Sequence, residues 1–103
     1  MDRPQLILVV TLTVRCEAAS EFERFERNAA AIMSRHGGRI ERVIKLTEDG
    51  PENNTFREVH IVSFRDEASF ESYRRDPELA ALESLRKTAI VSTEITRGRG
   101  APH

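Results

Sequence analysis

The 103-residue sequence predicts an α+β fold of order βαββαβ, with four strands in one antiparallel sheet and two helices on one of its faces. Three observations carry that expectation. Residues 6–14 (LILVVTLTV) are rich in β-branched side chains and apolar on both faces, the signature of a central strand. The period then changes from two to 3.6, because Ala19, Phe22, Phe25, Ala29, Ile32 and Met33 recur at helical spacing. The same alternation of strand-like and helix-like segments repeats in the second half. Two right-handed crossovers built on this order place strands one and three in the middle of the sheet.

On strand one, Leu8, Val10, Leu12 and Val14 share one face, and Ile7, Val9, Thr11 and Thr13 share the other. On the first helix, Glu21, Glu23, Arg24, Glu26 and Arg27 are expected on the solvent side. Ser20 and Glu23 have the spacing of a capping box, and Gly37-Gly38 supply the left-handed conformation that ends a helix. Residues 39–46 form a second strand, with Ile40, Ile44 and Leu46 on one face around Arg42, and Glu41, Val43 and Lys45 on the other. Such mixed character suits a sheet edge. Residues 47–55 collect turn formers and acids without periodicity, as an exposed hairpin loop does, and residues 56–64 are strand three.

Asp66 is placed to cap a second helix bearing Phe70 and Tyr73, and Asp76-Pro77 supplies a fresh N-cap with proline at the first helical position. Leu79, Leu82 and Leu85 continue the stripe, so one bent helix or two short ones are expected. Residues 89–96 close the sheet as strand four, with Val91 and Ile95 flanking Thr93, and residues 97–103 are expected to fray.

Composition narrows the function classes. Hydrophobic residues at 39% and charged residues at 32% fit a globular chain of one domain, 1–103, with an ordered core at about residues 5–97. Sixteen basic against 17 acidic residues give a net charge of -1, so no global attraction to nucleic acid or anionic lipid is expected. The longest apolar run, residues 6–10, is far short of the roughly 20 that span a bilayer. Met1-Asp2-Arg3-Pro4 makes a poor secretory signal, which leaves a cytoplasmic location as the expectation. Cys16 is the only cysteine, which excludes an intrachain disulfide and a paired-cysteine metal site. His36, His60 and His103 lack ligand spacing, so neither a metal nor another cofactor is expected.

With both helices on one side, the other sheet face is bare. Either Ile7 and Val9 or Leu8 and Leu12 would then face water, an apolar patch of the kind that marks an association surface. A second copy packing sheet to sheet covers it, so the expected partner is the chain itself.

Three stretches carry a family resemblance: His36-Gly37-Gly38-Arg39 entering strand two, residues 57–64 (REVHIVSF), and Tyr73-Arg74-Arg75-Asp76-Pro77 with Leu82 and Arg86. They resemble a bacterial branch of the dimeric α+β barrel superfamily, ferredoxin-like in fold, that carries a Gly-Gly-Arg turn and a Tyr-x-x-Asp-Pro helix. The match runs in order over residues 6–96. The resemblance implies a ferredoxin-like dimeric barrel, in a superfamily that includes cofactor-independent monooxygenases, haem-degrading enzymes and muconolactone-isomerase-like proteins; the branch itself has no established activity. Haem-degrading relatives use a tryptophan, an asparagine near strand one and a histidine on helix two. This chain has no Trp, has Thr11 and Thr13 on strand one, and has no histidine in helix two, so haem degradation is disfavoured.

His60 is the leading titratable residue, set mid-strand on the face of Phe56, Glu58, Val62 and Phe64. Facing the helices, it would serve as a proton acceptor or an anchor for a ligand hydroxyl. Alternatively it is a structural or interface histidine with satisfied hydrogen bonds. Tyr73 can present its hydroxyl beside His60, or serve as core with a wet tip. Arg39, Arg42, Arg74 and Arg86 can each bind a carboxylate or form a surface ion pair, and Arg86 is favoured by its resemblance to a family position. Glu58 and Glu94 are placed to pair with an arginine across the sheet. Cys16, with no histidine nearby in sequence, reads as inert.

RNA-recognition modules share the element order but stack bases on strand-three aromatics. Here Glu58 stands where the second ring belongs, so RNA binding is disfavoured. The sequence therefore points to a small homodimer holding a small organic molecule in a largely apolar pocket lined by Phe25, His60 and Tyr73, with Arg86 as a further ligand contact. The enzymatic alternative is a cofactor-independent monooxygenase or isomerase, with His60 taking a proton and Tyr73 holding the resulting anion. The third alternative is a structural or regulatory dimer without a pocket.

Overall fold

The two-sided apolar strand, β1 (Leu6–Arg15), lies inside a four-stranded antiparallel sheet of order β2-β3-β1-β4. The computed structural model describes residues 5–102, so Met1–Pro4 and His103, named above for the leader and for metal binding, lie outside the described residues. β2 is Gly38–Lys45, β3 is Thr55–Phe64 and β4 is Ile90–Gly98. β1 and β3 are central and pair in unbroken register, with Val9 opposite Ile61 and Val10 opposite His60. β2 is an edge, as its mixed composition predicts.

After β1, a short 3₁₀ turn, Cys16–Ala18, leads into α1 (Ala19–Ser34). The predicted stripe faces the sheet, since Phe22, Phe25, Ala29, Ile32 and Met33 are all buried. The capping box does not form. Helical winding begins before Ser20, which places it inside the helix, where its hydroxyl donates to Glu21. At the other end Gly37 takes φ 73°, the left-handed stop expected of it. Gly38 serves differently: it already belongs to β2, and a side chain there would overlap the Phe64 ring and Met33.

The second helical region breaks into three pieces, α2 (Glu67–Arg74), α3 (Pro77–Ala80) and α4 (Glu83–Ala89). Both predicted caps are present, with Asp66 accepting from the Ser69 N–H and Asp76 from the Glu78 N–H, each at 2.8 Å. Arg15 of β1 donates to the Lys87 and Thr88 carbonyls, placing a cation on acceptors that α4 leaves open at its C-terminus.

Two strands depart from simple alternation. A register shift between Ile40 and Arg42 flips β2, so that Ile40 and Val43 lie opposite Val62 and His60, while Arg42 and Ile44 lie opposite Ile61 and Val59. The expected grouping of Ile40 with Ile44 is therefore corrected. A second shift, opposite Thr13 and Val14, separates Val91 from the face shared by Thr93 and Ile95. Nor does the chain fray at Arg97. That residue lies within β4, chelates Glu67 through Nε and Nη2, and sits 5.4 Å from the centre of the Phe70 ring.

The helices cover the face carrying Leu8, Leu12 and Val14, which are at most 4% exposed. This core has two parts: Leu12, Val14, Phe22, Phe25 and Ile90 form one, and Leu8, Met33, Val62, Phe64 and Phe70 the other. Val10 packs against both parts without being fully buried itself. The opposite sheet face presents Ile7, Val9, Ile44, Val59 and Ile61, with Val9 37% and Ile44 39% exposed. No helix among the described residues is long and apolar enough to cross a membrane.

Candidate functional site

Between the two halves of the core, above Val10, lies a cleft of about 470 Å3. Its floor is strand side chains, Leu8, Val10, Leu12 and Val62, and α1 closes one side with Phe25, Glu26 and Ala30. α2 and α4 supply Tyr73, Arg74, Glu83 and Arg86 opposite. Phe25, His60, Tyr73 and Arg86 thus all line one space, although they come from α1, β3, α2 and α4.

His60 is 3% exposed and is held by two carboxylates, not by backbone. Its Nε2 lies 2.9 Å from Glu58 Oε1 and its Nδ1 lies 3.2 Å from Glu26 Oε2. A protonated ring donates from both nitrogens, and each then faces a carboxylate oxygen that can accept. Burial pushes its pKa down, but the hydrogen bonds to Glu26 and Glu58, with their charges, outweigh it and hold the pKa above the usual value. In its protonated form the His60 ring is thus held between two acids, Glu26 and Glu58, with both nitrogens engaged.

A folded-state pKa raised above the unfolded value of about 6.5 makes the pairing's contribution complete below that pH. It is lost as pH rises through the folded-state value. The His60 ring signals should accordingly titrate with a midpoint above about 6.5, and the urea midpoint should fall across that interval. A ring midpoint at or below about 6.5 would contradict the clamp.

Glu26 and Glu58 were not singled out as a pair from the sequence. Glu26 falls on the charged side of the helical wheel, yet its side chain is 22% exposed and reaches back to the sheet. Among the described residues Glu58 is not paired with an arginine; it lies two residues before His60 on the same strand face, and that Glu-x-His spacing is the signal in the sequence. The two acids bind opposite edges of one ring and diverge. Among the described residues no group of three or more His, Cys, Asp and Glu side chains is arranged to hold a metal ion.

Tyr73 packs its ring against Phe64, centroids 5.5 Å apart. Burial, then the charge of Glu26, pushes its hydroxyl pKa up to about 12, so it stays a neutral donor. Arg86 is chelated by Glu83 through Nε at 3.0 Å and Nη2 at 2.6 Å, and Arg74 bonds Glu71 at 3.3 Å. Arg39 likewise pairs with Glu41. The carboxylate-binding candidates of the cleft are thus already engaged by this chain's own acids. His36 meets Asp76 at 2.7 Å, tying the end of α1 to the start of α3. Cys16 is exposed and free.

A protein of unknown function from Rhodopseudomonas palustris superposes with a TM-score of 0.77 at 20% identity, over 99% of this chain and 87% of that one. The cofactor-independent oxygenase SnoaB from Streptomyces nogalater superposes with a TM-score of 0.65 at 16% identity, over 98% and 97%. The chain has the same fold as SnoaB. A nipsnap family protein with unknown function from Agrobacterium tumefaciens gives 0.68 at 19% identity, over 95% and 89%. The fold is thus the ferredoxin-like α+β fold to which the sequence resemblance pointed. No protein-family model and no curated protein sequence matches the chain.

Proposed function

We propose that the protein is a homodimer that binds a small, largely apolar organic molecule in the cleft between sheet and helices. The carrying observation is the cleft itself: about 470 Å3 in volume, apolar along β1 and β3, with Glu26, His60 and Tyr73 among the polar groups that line it. That combination of apolar surface with a few convergent polar groups is the usual build of a small-molecule site. The second copy covers Val9, Ile61 and Ile44 on the open face.

Filling the cleft tests the binding reading. Ala30 lines it from α1 and is only half-buried, so Ala30→Trp fills the space with little strain on the core. Aromatic fragments should shift the amide signals of Val10 and Val62 in the original chain and leave them unmoved in the variant. Shifts that persist unchanged in Ala30→Trp would refute binding in the cleft.

The enzymatic reading, a cofactor-independent monooxygenase or isomerase, is favoured by the acid–imidazolium array and by the shared fold with SnoaB. In that reading Glu26 takes the proton, His60 and Glu58 position it and balance its charge, and Tyr73 donates to the anion left behind.

A further inference from the structure

The open face of the sheet is charged unequally at its two edges, and that polarity bears on how two copies meet there, an inference that rests on the homodimer proposed above. Its two middle strands are largely apolar, with Val9 opposite Ile61 and Thr11 opposite Val59. Its edge strands carry opposite signs: on this face Arg42 of β2 lies opposite Ile61, and Glu94 of β4 lies opposite Thr11. Both are exposed, and among the described residues neither side chain enters a hydrogen bond or an ion pair. The other charges of the face keep the same polarity. Arg39 and Glu41 of β2 neutralise each other, and Arg57, opposite Thr13, adds a cation on the β3 side of β1.

We propose that two copies pack face to face about a two-fold axis running along the strands, so that β2 of each lies over β4 of the other and Glu94 of one pairs with Arg42 of the other. Aligned packing keeps the strand directions of two sheets within about 30°. A closed dimer then has two settings, the axis along the strands or across them. With the axis along the strands and midway between β1 and β3, Val9 of one copy lies over Ile61 of the other, and Arg57 lies over Thr13. Glu94 comes over Ile44, with Arg42 two residues along the same strand, and the symmetry makes this contact twice. With the axis across the strands, β2 meets β2 and β4 meets β4, which sets Arg42 beside Arg42 and Glu94 beside Glu94. Like charges juxtaposed in an interface are costly, so the edge charges select the first setting while the apolar centre supplies the buried area.

Charge reversal tests the orientation, read as dimer dissociation constants of the full chain by sedimentation equilibrium. Glu94→Arg and Arg42→Glu change exposed side chains, so each variant should keep the circular dichroism of the original. Each should weaken association at least about tenfold, because each places two like-charged pairs in the interface. The double variant, Glu94→Arg with Arg42→Glu, re-forms both pairs with their signs exchanged and should return to within about threefold of the original. Single variants that associate as tightly as the original overturn the orientation and leave the dimer standing. A double variant no tighter than the single ones does the same. An original chain that sediments as a monomer at micromolar concentration overturns the dimer and the orientation together.

Discussion

Replacing Phe64 by Ala should lower stability by about 3–5 kcal/mol, the range for removing a fully buried aromatic ring. Phe64 is 1% exposed and touches both α2 and β2. Its ring lies 5.3 Å from that of Phe70 and 5.5 Å from that of Tyr73, both on α2, and its edge rests on the backbone of Gly38 opposite it in β2. Against a total of roughly 5–15 kcal/mol for a typical domain, this is a large fraction. The cavity would also open under Tyr73, so the loss extends to the cleft wall. The same contact predicts the opposite fault: Gly38→Ala drives a methyl into the ring and should cost about 1–3 kcal/mol. The two sites share one space, so combining Gly38→Ala with Phe64→Leu should cost less than the sum of the single changes. Urea unfolding at constant m-value measures all of these, and a Phe64→Ala loss below about 1 kcal/mol would show that the ring is not a keystone of this half of the core.

The fold was legible because its strongest signals are local. The double-sided β1, the α1 stripe and the Asp66 and Asp76 caps each depend on residues adjacent in sequence. What escaped was set by partners distant in the chain. The shift at Glu41 inverts the rest of β2, and nothing within residues 38–45 announces it, because a bulge is decided by the strand across the ladder. Ser20 has the right spacing to Glu23 for a cap, yet the turn at Cys16–Ala18 starts the helix first.

The site divides along the same line. Alternation along β3 grouped His60 correctly with Glu58, Val62 and Phe64, but β1 is apolar on both sides, so the pattern alone left open which face the helices cover. Glu26 was assigned to solvent because a helical wheel has no knowledge of where a sheet ends. Its carboxylate sits at the margin of the buried stripe, close enough to His60 for an ion pair at 3.2 Å. That pair, and the Glu58 contact on the other edge of the ring, are set by α1 and β3 packing together and not by any spacing within either segment.

Val9→Glu should convert the proposed dimer into a folded monomer. Val9 lies mid-strand in β1 between Ile61 of β3 and Thr96 of β4, near the centre of the open face. Within one chain its side chain is 37% exposed, so a carboxylate there reaches water and should leave the monomer's stability nearly unchanged. In a sheet-to-sheet dimer the same carboxylate is enclosed by apolar side chains of the facing copy, and two-fold symmetry repeats the cost on the other chain. Burying an unpaired charge costs several kcal/mol, and every 1.4 kcal/mol is about tenfold in association, so two such sites should weaken dimerisation by at least about a thousandfold. Sedimentation equilibrium at micromolar concentration should show twice the chain mass for the original protein and the single mass for Val9→Glu, with equal helical circular dichroism. A dimer that survives the substitution would place the interface elsewhere, whereas an original chain that sediments as a monomer would remove the dimer itself.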